Sequence, residues 1–319
     1  MNAQISDKMR IVFMGTPDFA VESLKILVEN NHQVVGVVTM PDKPAGRGHK
    51  IQFSAVKQYA LEQNLPLLQP EKLKDELFLQ ELRALKADLQ IVVAFRMLPE
   101  VVWNMPRFGT FNLHASLLPQ YRGAAPINWA IINGEKETGA TTFFLTHEID
   151  TGKIILQEKV SIADEDDAGV IHDKLMLMGA QMVKKTVDLI AEGKADAIDQ
   201  SVFVRGDVVL KSAPKLFKDN CRIDLSKSVE EVYNLVRGLS PYPAAWTEIL
   251  LPGQTEPLIC KVFRTEKEFA EHSFEPGSMH TDGKKFLKIA LKDGFIDLTE
   301  IQAPGKKRMD AGSFLRGLR

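Results

Sequence analysis

The hydrophobic and polar positions of the first hundred residues follow two patterns in turn. Short apolar runs are typical of strands buried on both faces of a sheet. Between these runs, apolar residues recur at helical spacing, as Leu24, Leu27 and Val28 do. Strands alternating with helices predict a mostly parallel, Rossmann-like α/β sheet. The predicted strands are 10–14, 34–39, 65–68 and 88–95, and the predicted helices after the first one are 54–63, 73–85 and 98–103.

The first helix is expected to begin in the turn that follows the first strand. Thr16 is a suitable N-cap residue, Pro17 suits the first helical position, and Asp18 suits the positive end of the helix. The turn does not carry Gly-x-Gly-x-x-Gly, so a dinucleotide site is a weak interpretation.

The pattern of predicted elements changes near residue 207. A strand at 110–115, a second at 140–146 and an amphipathic helix at 168–192 complete the first part. One helix and several short strands follow, separated by Gly, Pro and Asp turns, which predicts a small OB-like β-barrel. We predict a catalytic domain over 1–206 and a second domain over 207–319. The later elements are predicted at 229–239 (helix) and at 246–251, 258–264, 286–291 and 295–301 (strands).

Composition narrows the class of protein. The 319 residues, of which 45% are hydrophobic, are enough for two domains with a substantial core. No apolar run approaches the ~18 residues of a membrane span, and the N-terminal segment lacks the apolar core of a signal peptide. We therefore expect a cytoplasmic protein with reduced cysteines and no membrane partner. The seven His and two Cys suggest no metal site.

Charge is unevenly distributed although the net charge is only −2. The part before residue 207 is net acidic and the part after it is net basic, most of all in the final stretch. The small net charge argues against strong nonspecific binding of nucleic acid. A polyanionic partner is permitted, but a basic tail is also compatible with solvated surface.

Candidate chemistry concentrates between residues 109 and 155. Asn112 and His114 are two apart on a predicted strand, so their side chains share one face. Asp150, in a turn, joins them if the strand at 140–146 pairs nearby. An amide can stabilise a developing oxyanion and an imidazole can move protons, so the trio suits attack on a carbonyl carbon. The alternative is that His114 is a hydrogen-bonded core residue.

A second candidate is the Pro- and Gly-rich loop at 41–50. It contains the basic residues Lys43, Arg47, His49 and Lys50. Such a loop beside an active site can contact phosphates, although most basic loops are simply solvated.

Seven segments carry a family resemblance: 13–20, 41–48, 112–119, 121–127, 150–152, 222–224 and 305–309. Together, and in this order over nearly the whole chain, they resemble the methionyl-tRNA formyltransferase family. The segment around 116–119 is shared by many 10-formyltetrahydrofolate enzymes, whereas the loop at 41–48 and the C-terminal part resemble those acting on initiator tRNA.

The resemblance implies transfer of a formyl group from 10-formyltetrahydrofolate to the amino group of methionine on initiator tRNA. It also implies that Asn112, His114 and Asp150 occupy the family's catalytic positions. Arg96 departs from the pattern, because many relatives have Gly there; it can reshape the folate pocket or pair with the glutamate tail. The folate is expected at the sheet edge and at the Ser-Leu-Leu-Pro segment, that is, at Val92, Ala94, Phe95, Ser116, Leu117, Leu118 and Pro119.

The resemblance further implies that Arg47 enters the acceptor-stem groove of the tRNA. We expect a monomer whose C-terminal domain adds salt-dependent phosphate contacts. For each basic residue, solvated surface charge is an equally good interpretation. The remaining predicted tRNA contacts are Lys43, Lys50, Lys211, Lys306, Lys307 and Arg308.

Three other functions stay open on the sequence. A formyltransferase acting on an amino sugar or on glycinamide ribonucleotide would not be expected to retain both the loop at 41–48 and the C-terminal part. A noncatalytic tRNA-binding protein would bind no folate. A dehydrogenase is the poorest alternative, because the glycine fingerprint is absent.

Overall fold

The computed structural model of the chain describes residues 8–45, 50–204, 206, 209–250 and 255–317, with backbone only at 43–45, 50 and 51. The strands within this part are β1 (Arg10–Gly15), β2 (Gln33–Val38), β3 (Lys43–Ala45), β4 (Lys50–Gln52), β5 (Leu67–Leu68), β6 (Leu89–Val93), β7 (Thr110–His114), β8 (Arg122–Gly123), β9 (Glu137–Phe144), β10 (Ile154–Ser161), β11 (Ser212–Ala213), β12 (Ala245–Ile249), β13 (Leu258–Phe269), β14 (Met279–Thr281), β15 (Leu287–Leu291), β16 (Gly294–Gln302) and β17 (Met309–Asp310).

The helices are α1 (Val21–Glu29), α2 (Ala55–Glu62), α3 (Glu76–Ala84), α4 (Glu100–Trp103), α5 (Pro126–Ile132), α6 (Ala168–Ala191), α7 (Val229–Leu239) and α8 (Ala311–Arg316). Short 3-10 helices cover Asp18–Ala20, Gln200–Phe203 and Asp219–Cys221. In the described part of the chain, no helix is both long and apolar enough to cross a membrane.

Seven strands form one sheet in the order β10-β9-β7-β6-β1-β2-β5. The pairs β1–β2, β1–β6, β2–β5 and β6–β7 are parallel, and β9 pairs antiparallel with β7. This confirms the predicted mostly parallel α/β sheet. Carboxyl ends of parallel strands are where such sheets place their ligands, and β1, β6 and β7 end side by side.

Apolar residues of the sheet and its helices form the core that fixes this arrangement. Val12, Met14 and Val92 of the central strands pack against α3, which contributes Phe78 and Leu82. These side chains are at most 5% exposed. The continuous apolar runs of β1 and β6 are explained by burial of both faces.

The predicted start of the first helix is wrong in detail. Pro17, in an extended conformation, caps a 3-10 turn, and α1 begins only at Val21. The Thr16 hydroxyl is buried and makes no hydrogen bond to the described residues, so it is not the cap. The Cβ of Ala20 lies 2.7 Å from the position of an added Cβ on Gly15, so the end of β1 and the 3-10 helix pack closely together.

The C-terminal part contains an antiparallel sheet in the order β12-β13-β16-β15-β14, with β17 beside β16. Its strands alternate buried and outward residues, and the buried ones pack on Val232, Val236 and Leu239 of α7. This antiparallel half-barrel confirms the predicted β-rich second fold. Burial raises the pKa of the Cys260 thiol in this core to about 11.

The structure divides into two compact units that do not follow a single cut in the chain. One unit contains residues 1–122, 139–160 and 173–211, and the other contains 123–138, 161–172 and 212–319. The boundary between 206 and 207 stays a prediction. The sequence patterns did not identify α5, β10 or β14, and the loop expected at 41–50 includes the short antiparallel ladder of β3 and β4.

Candidate active site

Asn112 and His114 lie at the carboxyl end of β7, as the period of the strand predicts. Their neighbours Phe111 and Leu113 are 0% and 3% exposed and fill the opposite side. Asn112 is half-buried, and no hydrogen bond within the described part of the chain involves its side-chain amide. Its two N–H groups are therefore available to a ligand.

Asp150 joins this pair because β9 runs antiparallel to β7. The register places Thr141 opposite His114, and the chain after β9 turns back through Asp150. Asp150 has a φ of 55°, in the left-handed region that an Asp adopts more readily than most residues. Its Oδ2 lies 3.8 Å from Nδ1 of His114, and the two side chains are 11% and 7% exposed.

The second nitrogen of His114 fixes its tautomer. Nε2 lies 2.9 Å from the main-chain oxygen of Tyr121, which can only accept a hydrogen bond, so Nε2 carries a proton. In the neutral ring Nδ1 is then an acceptor. The distance of 3.8 Å to Asp150 exceeds a direct hydrogen bond but keeps the carboxylate within ion-pair range of the ring.

A network of side chains holds the Ser-Leu-Leu-Pro segment beside this site. Thr141 donates to the oxygen of Ser116 at 2.7 Å and accepts from the N–H of Leu118 at 3.2 Å. Gln157 donates to the oxygen of Leu118 at 2.9 Å. The Ser116 hydroxyl is itself buried and donates to the oxygen of Gln120. The side chain of Ser116 and the main chain of Leu118 thus hold the segment in place. Pro119 is buried, whereas Leu117 is half exposed.

The strand expected to hold the folate lies inside the sheet. Val92 and Val93 pair with β1 on one side and β7 on the other, and the Val92 side chain belongs to the core. Val92 is therefore at the carboxyl end of an interior strand and not on a lateral edge. Ala94 leaves the strand exposed with a φ of 47°, followed by half-buried Phe95.

Arg96 is engaged within the protein. Its guanidinium donates to the main-chain oxygens of Pro70 and Glu71 and stacks on Phe95, 5.6 Å from the ring centre. Burial lowers the pKa of this guanidinium, which still carries its charge at neutral pH. Arg96 therefore ties the loop after β6 to residues 70–71, and its pairing with a glutamate tail stays a prediction.

Asp42, near the start of the basic loop at 41–50, is held by two side chains. Asp42 lies 2.5 Å from Nζ of Lys57 and accepts a second hydrogen bond from Gln69. The bond from Lys57 is the main cause that lowers the pKa of Asp42. Arg47 lies outside the described residues, and the side chains of Lys43 and Lys50 are not described.

The predicted C-terminal contacts lie at the surface. Lys211, Lys306 and Lys307 are exposed. Arg308 is also exposed. It pairs with Glu300, with Nη2 to Oε2 at 2.6 Å, and covers the ring of Phe263 at 4.4 Å. This hydrogen bond is the main cause that lowers the pKa of Glu300. The guanidinium of Arg308 thus already has a carboxylate partner within the protein.

Some contributors to the site carry no residue-type signal in the sequence. Tyr121 acts through its main-chain oxygen, which any residue offers. Gly152 is required because an added Cβ would lie 1.6 Å from the oxygen of Phe144. The Asp-Thr-Gly segment at 150–152 was the available signal for the turn. Among the residues that the structure describes, no group of His, Cys, Asp and Glu is arranged to hold a metal ion.

Two family models match the chain. Residues 9–187 match the formyl transferase family, and residues 215–319 match the formyl transferase C-terminal domain. The methionyl-tRNA formyltransferase of Parabacteroides distasonis is 64% identical over 98% of this chain and 97% of its own length. The chain belongs to the methionyl-tRNA formyltransferase family. The recognition from sequence motifs and the predicted enzyme class, a formyl-group transferase, are thereby confirmed.

A second relative and two solved structures are also similar to the chain. The methionyl-tRNA formyltransferase of Bacteroides thetaiotaomicron is 63% identical, again over 98% of this chain and 97% of its own. A sugar 3N-formyltransferase solved with dTDP and 5-N-formyl-THF superposes with a TM-score of 0.65 at 19% identity, covering 95% of this chain and 100% of the other. HypX from Aquifex aeolicus with tetrahydrofolic acid gives 0.61 at 18% identity, covering 97% and 47%. At these identities the likeness concerns the fold.

Proposed function

We propose that this chain transfers the formyl group of 10-formyltetrahydrofolate to the α-amino group of methionine esterified to initiator tRNA, giving N-formylmethionyl-tRNA. Family membership supports formylation of methionyl-tRNA and a folate-type donor. The observation that carries the catalytic assignment is the meeting of Asn112, His114 and Asp150 at the carboxyl end of β7. The reaction's tRNA substrate assigns the activity to the cytoplasm.

The nucleophile needs orientation more than activation. A free α-amino group has a pKa of roughly 7.7 to 8, and esterification of the carboxyl lowers it, so much of the amine is neutral near pH 7. The nitrogen forms a bond to the formyl carbon, the bond from that carbon to the folate nitrogen breaks, and one proton passes from the amine to the leaving nitrogen. The protein must hold the two reactants in line and relay that proton.

Asn112 is proposed to donate to the formyl oxygen as this oxygen becomes negative, since its amide is not engaged by the described residues. His114 is better placed for the proton. Nδ1 is the acceptor of the neutral ring and faces the space toward Asp150, whereas Nε2 is held by Tyr121. The carboxylate of Asp150 then stabilises the imidazolium that forms. This geometry favours proton transfer over donation to the oxyanion as the role of His114.

The folate is proposed to lie beside Ala94, Phe95 and Leu117, where the chain leaves the strands and offers exposed groups next to Asn112. The alignment of Val92 with Asn112 brings the two strand ends together. Val92, Ser116, Leu118 and Pro119 contribute to this site through main-chain shape, since their side chains are buried.

The tRNA is proposed to contact Arg47 through its acceptor stem and the exposed C-terminal lysines through phosphates. Arg47→Ala is expected to raise the KM for tRNA with less effect on the KM for the folate. Equal effects on both constants, or none on either, would contradict this role.

The proposed reaction is tested by transfer of labelled formyl from 10-formyltetrahydrofolate to methionyl initiator tRNA. The wild type should formylate this tRNA and not methionyl elongator tRNA, and His114→Ala should lose the activity while remaining folded. No transfer by folded wild type would refute the proposal, and an amino-sugar acceptor would then be tried next.

A further inference from the structure

One side chain outside the predicted trio holds the turn that carries Asp150. Gln200 is only 4% exposed, and both N–H groups of its amide are used. They donate to the main-chain oxygens of Asp150 at 2.8 Å and Gly152 at 2.9 Å. A single amide therefore bonds the residue that bears the catalytic carboxylate and the glycine that closes the same turn.

The orientation of this amide is determined by its other end. Oε1 of Gln200 accepts from Arg122, from Nη2 at 2.6 Å and from Nε at 3.2 Å. A reversed amide would place N–H groups against a guanidinium and an oxygen against two carbonyl oxygens, so only one orientation satisfies every group. Arg122 thereby aims the two donors of Gln200 at the turn.

The backbone around Gln200 is also fixed. Ile198 and Ile154 exchange two main-chain hydrogen bonds of 2.8 Å just before it. Asp199 caps the short 3-10 helix that starts at Gln200, accepting from the N–H and hydroxyl of Ser201. The amide is thus presented from a braced segment and not from a free loop.

These contacts form a closed series of hydrogen bonds and chain links that connects His114 with Asp150. His114 is held through Nε2 by the oxygen of Tyr121, and Tyr121 is followed directly by Arg122. Arg122 bonds Gln200, Gln200 bonds the main chain of Asp150, and the carboxylate of Asp150 faces Nδ1 of His114. A shift of any member changes the distance between the carboxylate and the imidazole.

We propose that Gln200 and Arg122 are positioning residues that set the distance between Asp150 and His114. The inference rests on the proposed function, because it assumes that Asp150 assists His114 in proton transfer. In this proposal each acts by holding the turn of Asp150 and not by contacting the reactants. Loss of the amide should release the turn, and a misplacement of about 1 Å at a reacting group can cost roughly 10²-fold in rate.

The experiment is a double-mutant cycle between Gln200→Ala and Asp150→Ala, measured as kcat for formyl transfer to methionyl initiator tRNA. Gln200→Ala alone should lower kcat by about 10²-fold with KM for tRNA nearly unchanged. In the Asp150→Ala background it should lower kcat little further, because the group that it positions is absent. Gln80→Ala, which removes an exposed glutamine of α3, is the matched control and should keep wild-type kcat.

Gln200→Glu is a second test of the positioning role, in case Gln200→Ala does not fold. It keeps the volume and the bond to Arg122, but it presents an oxygen instead of N–H groups to the carbonyls of Asp150 and Gly152, so kcat should fall as in Gln200→Ala. Arg122→Lys, which keeps one donor group, should lower kcat less than Arg122→Ala does. Melting temperatures of all variants confirm that folded protein is compared.

The outcomes distinguish failure of the positioning role from failure of the catalytic role. Equal losses from Gln200→Ala in both backgrounds, or wild-type kcat in folded Gln200→Ala and Gln200→Glu, would overturn the positioning role alone. Wild-type kcat in Asp150→Ala would overturn the catalytic role of Asp150 and, with it, the role of the two residues that position it.

Discussion

The end of β7 and the basic surface of the C-terminal half-barrel are built on opposite principles. At β7, His114 and Asp150 are at most 11% exposed, and His114 is fixed by the main chain. On the half-barrel, Lys306 and Lys307 are exposed. The first region depends on distances of a few ångström, whereas the second depends on the number of charges that reach a polyanion.

This difference predicts how each region responds to substitution. A buried polar group that faces a reacting atom has no substitute, so its loss should change kcat strongly and binding little. An exposed lysine among several shares its contribution with its neighbours and is screened by salt. The following experiments test this division, and a small effect in the first region or a large one in the second would break it.

The largest effect is expected from Asn112→Ala. Loss of a donor to a developing oxyanion typically costs 10² to 10³ in kcat, or about 2.7 to 4 kcal/mol. The affinity for tRNA should remain close to that of the wild type, because Asn112 is proposed to contact the formyl group and not the tRNA. Single-turnover formylation measures the rate, and Asn30→Ala, at an exposed asparagine at the end of α1, serves as the control.

A near-wild-type rate in folded Asn112→Ala would remove this residue from the catalytic set. A loss that appears only in KM for tRNA would instead assign Asn112 to acceptor binding. Either result would weaken the comparison, because loss of a polar group at the end of β7 would then leave kcat unchanged.

The sequence was sufficient for the elements that depend on local pattern. The continuous apolar runs of β1 and β6 predicted strands that are buried on both faces. The helical period of apolar residues predicted α7 with the bounds that the structure has. The same period of two located Asn112 and His114 on one face. These features follow from a few consecutive residues, which is why pattern alone recovered them.

Features that depend on partners far along the chain were not predicted. Gln200 reaches a turn 50 residues earlier, and Arg96 bonds main-chain oxygens about 25 residues earlier. The Thr16 hydroxyl has the residue type of a cap, but the 3-10 turn after Pro17 displaces the start of the helix. Such contacts are set by tertiary packing, for which neither residue type nor spacing is a signal.

Gly152→Ala tests how strictly the turn of Asp150 is built. The added methyl would lie 1.6 Å from the oxygen of Phe144, so the main chain must move. We expect the free energy of unfolding to fall by about 3 kcal/mol and kcat to fall with it, because the Asp150 carboxylate moves away from His114.

Gly193→Ala is the matched control for this substitution. Gly193 has a φ of 67° and open space around the added atom, so it reports conformational strain without a clash, about 1 to 2 kcal/mol. Its kcat should stay at the wild-type value. If urea unfolding shows that the two variants lose the same free energy of unfolding, the turn of Asp150 accommodates the added methyl without the cost of a clash.

A smaller effect is expected on the basic surface, and it should differ between two adjacent residues. Lys307→Ala should weaken tRNA binding a few-fold and reduce the slope of log affinity against log salt by about 1, as for one lost phosphate contact. Arg308→Ala should change binding less, because Glu300 already pairs with that guanidinium. Filter binding over a range of salt concentrations measures both slopes. A larger slope change for Arg308→Ala would mean that tRNA displaces Glu300.

The smallest effect concerns an exposed carboxylate that helps to frame the half-barrel. Glu231 accepts from the N–H and hydroxyl of Ser228 at the start of α7, and the main-chain bond is the main cause that lowers the pKa of Glu231 to about 2. Because the folded-state pKa is below the unfolded value of about 4.3, this stabilisation is complete above pH 4.3 and is lost as pH falls through 2.

Glu231→Gln should therefore flatten the pH dependence of stability between about pH 5 and pH 2, since the amide still accepts from Ser228 but cannot titrate. The difference should stay below about 1 kcal/mol, because the carboxylate is half exposed and screened by solvent. Urea unfolding across this interval measures it. A difference as large as that expected for Gly152→Ala would show that exposed charge frames the half-barrel as strictly as buried geometry frames the site at β7, and the contrast between the two regions would fail.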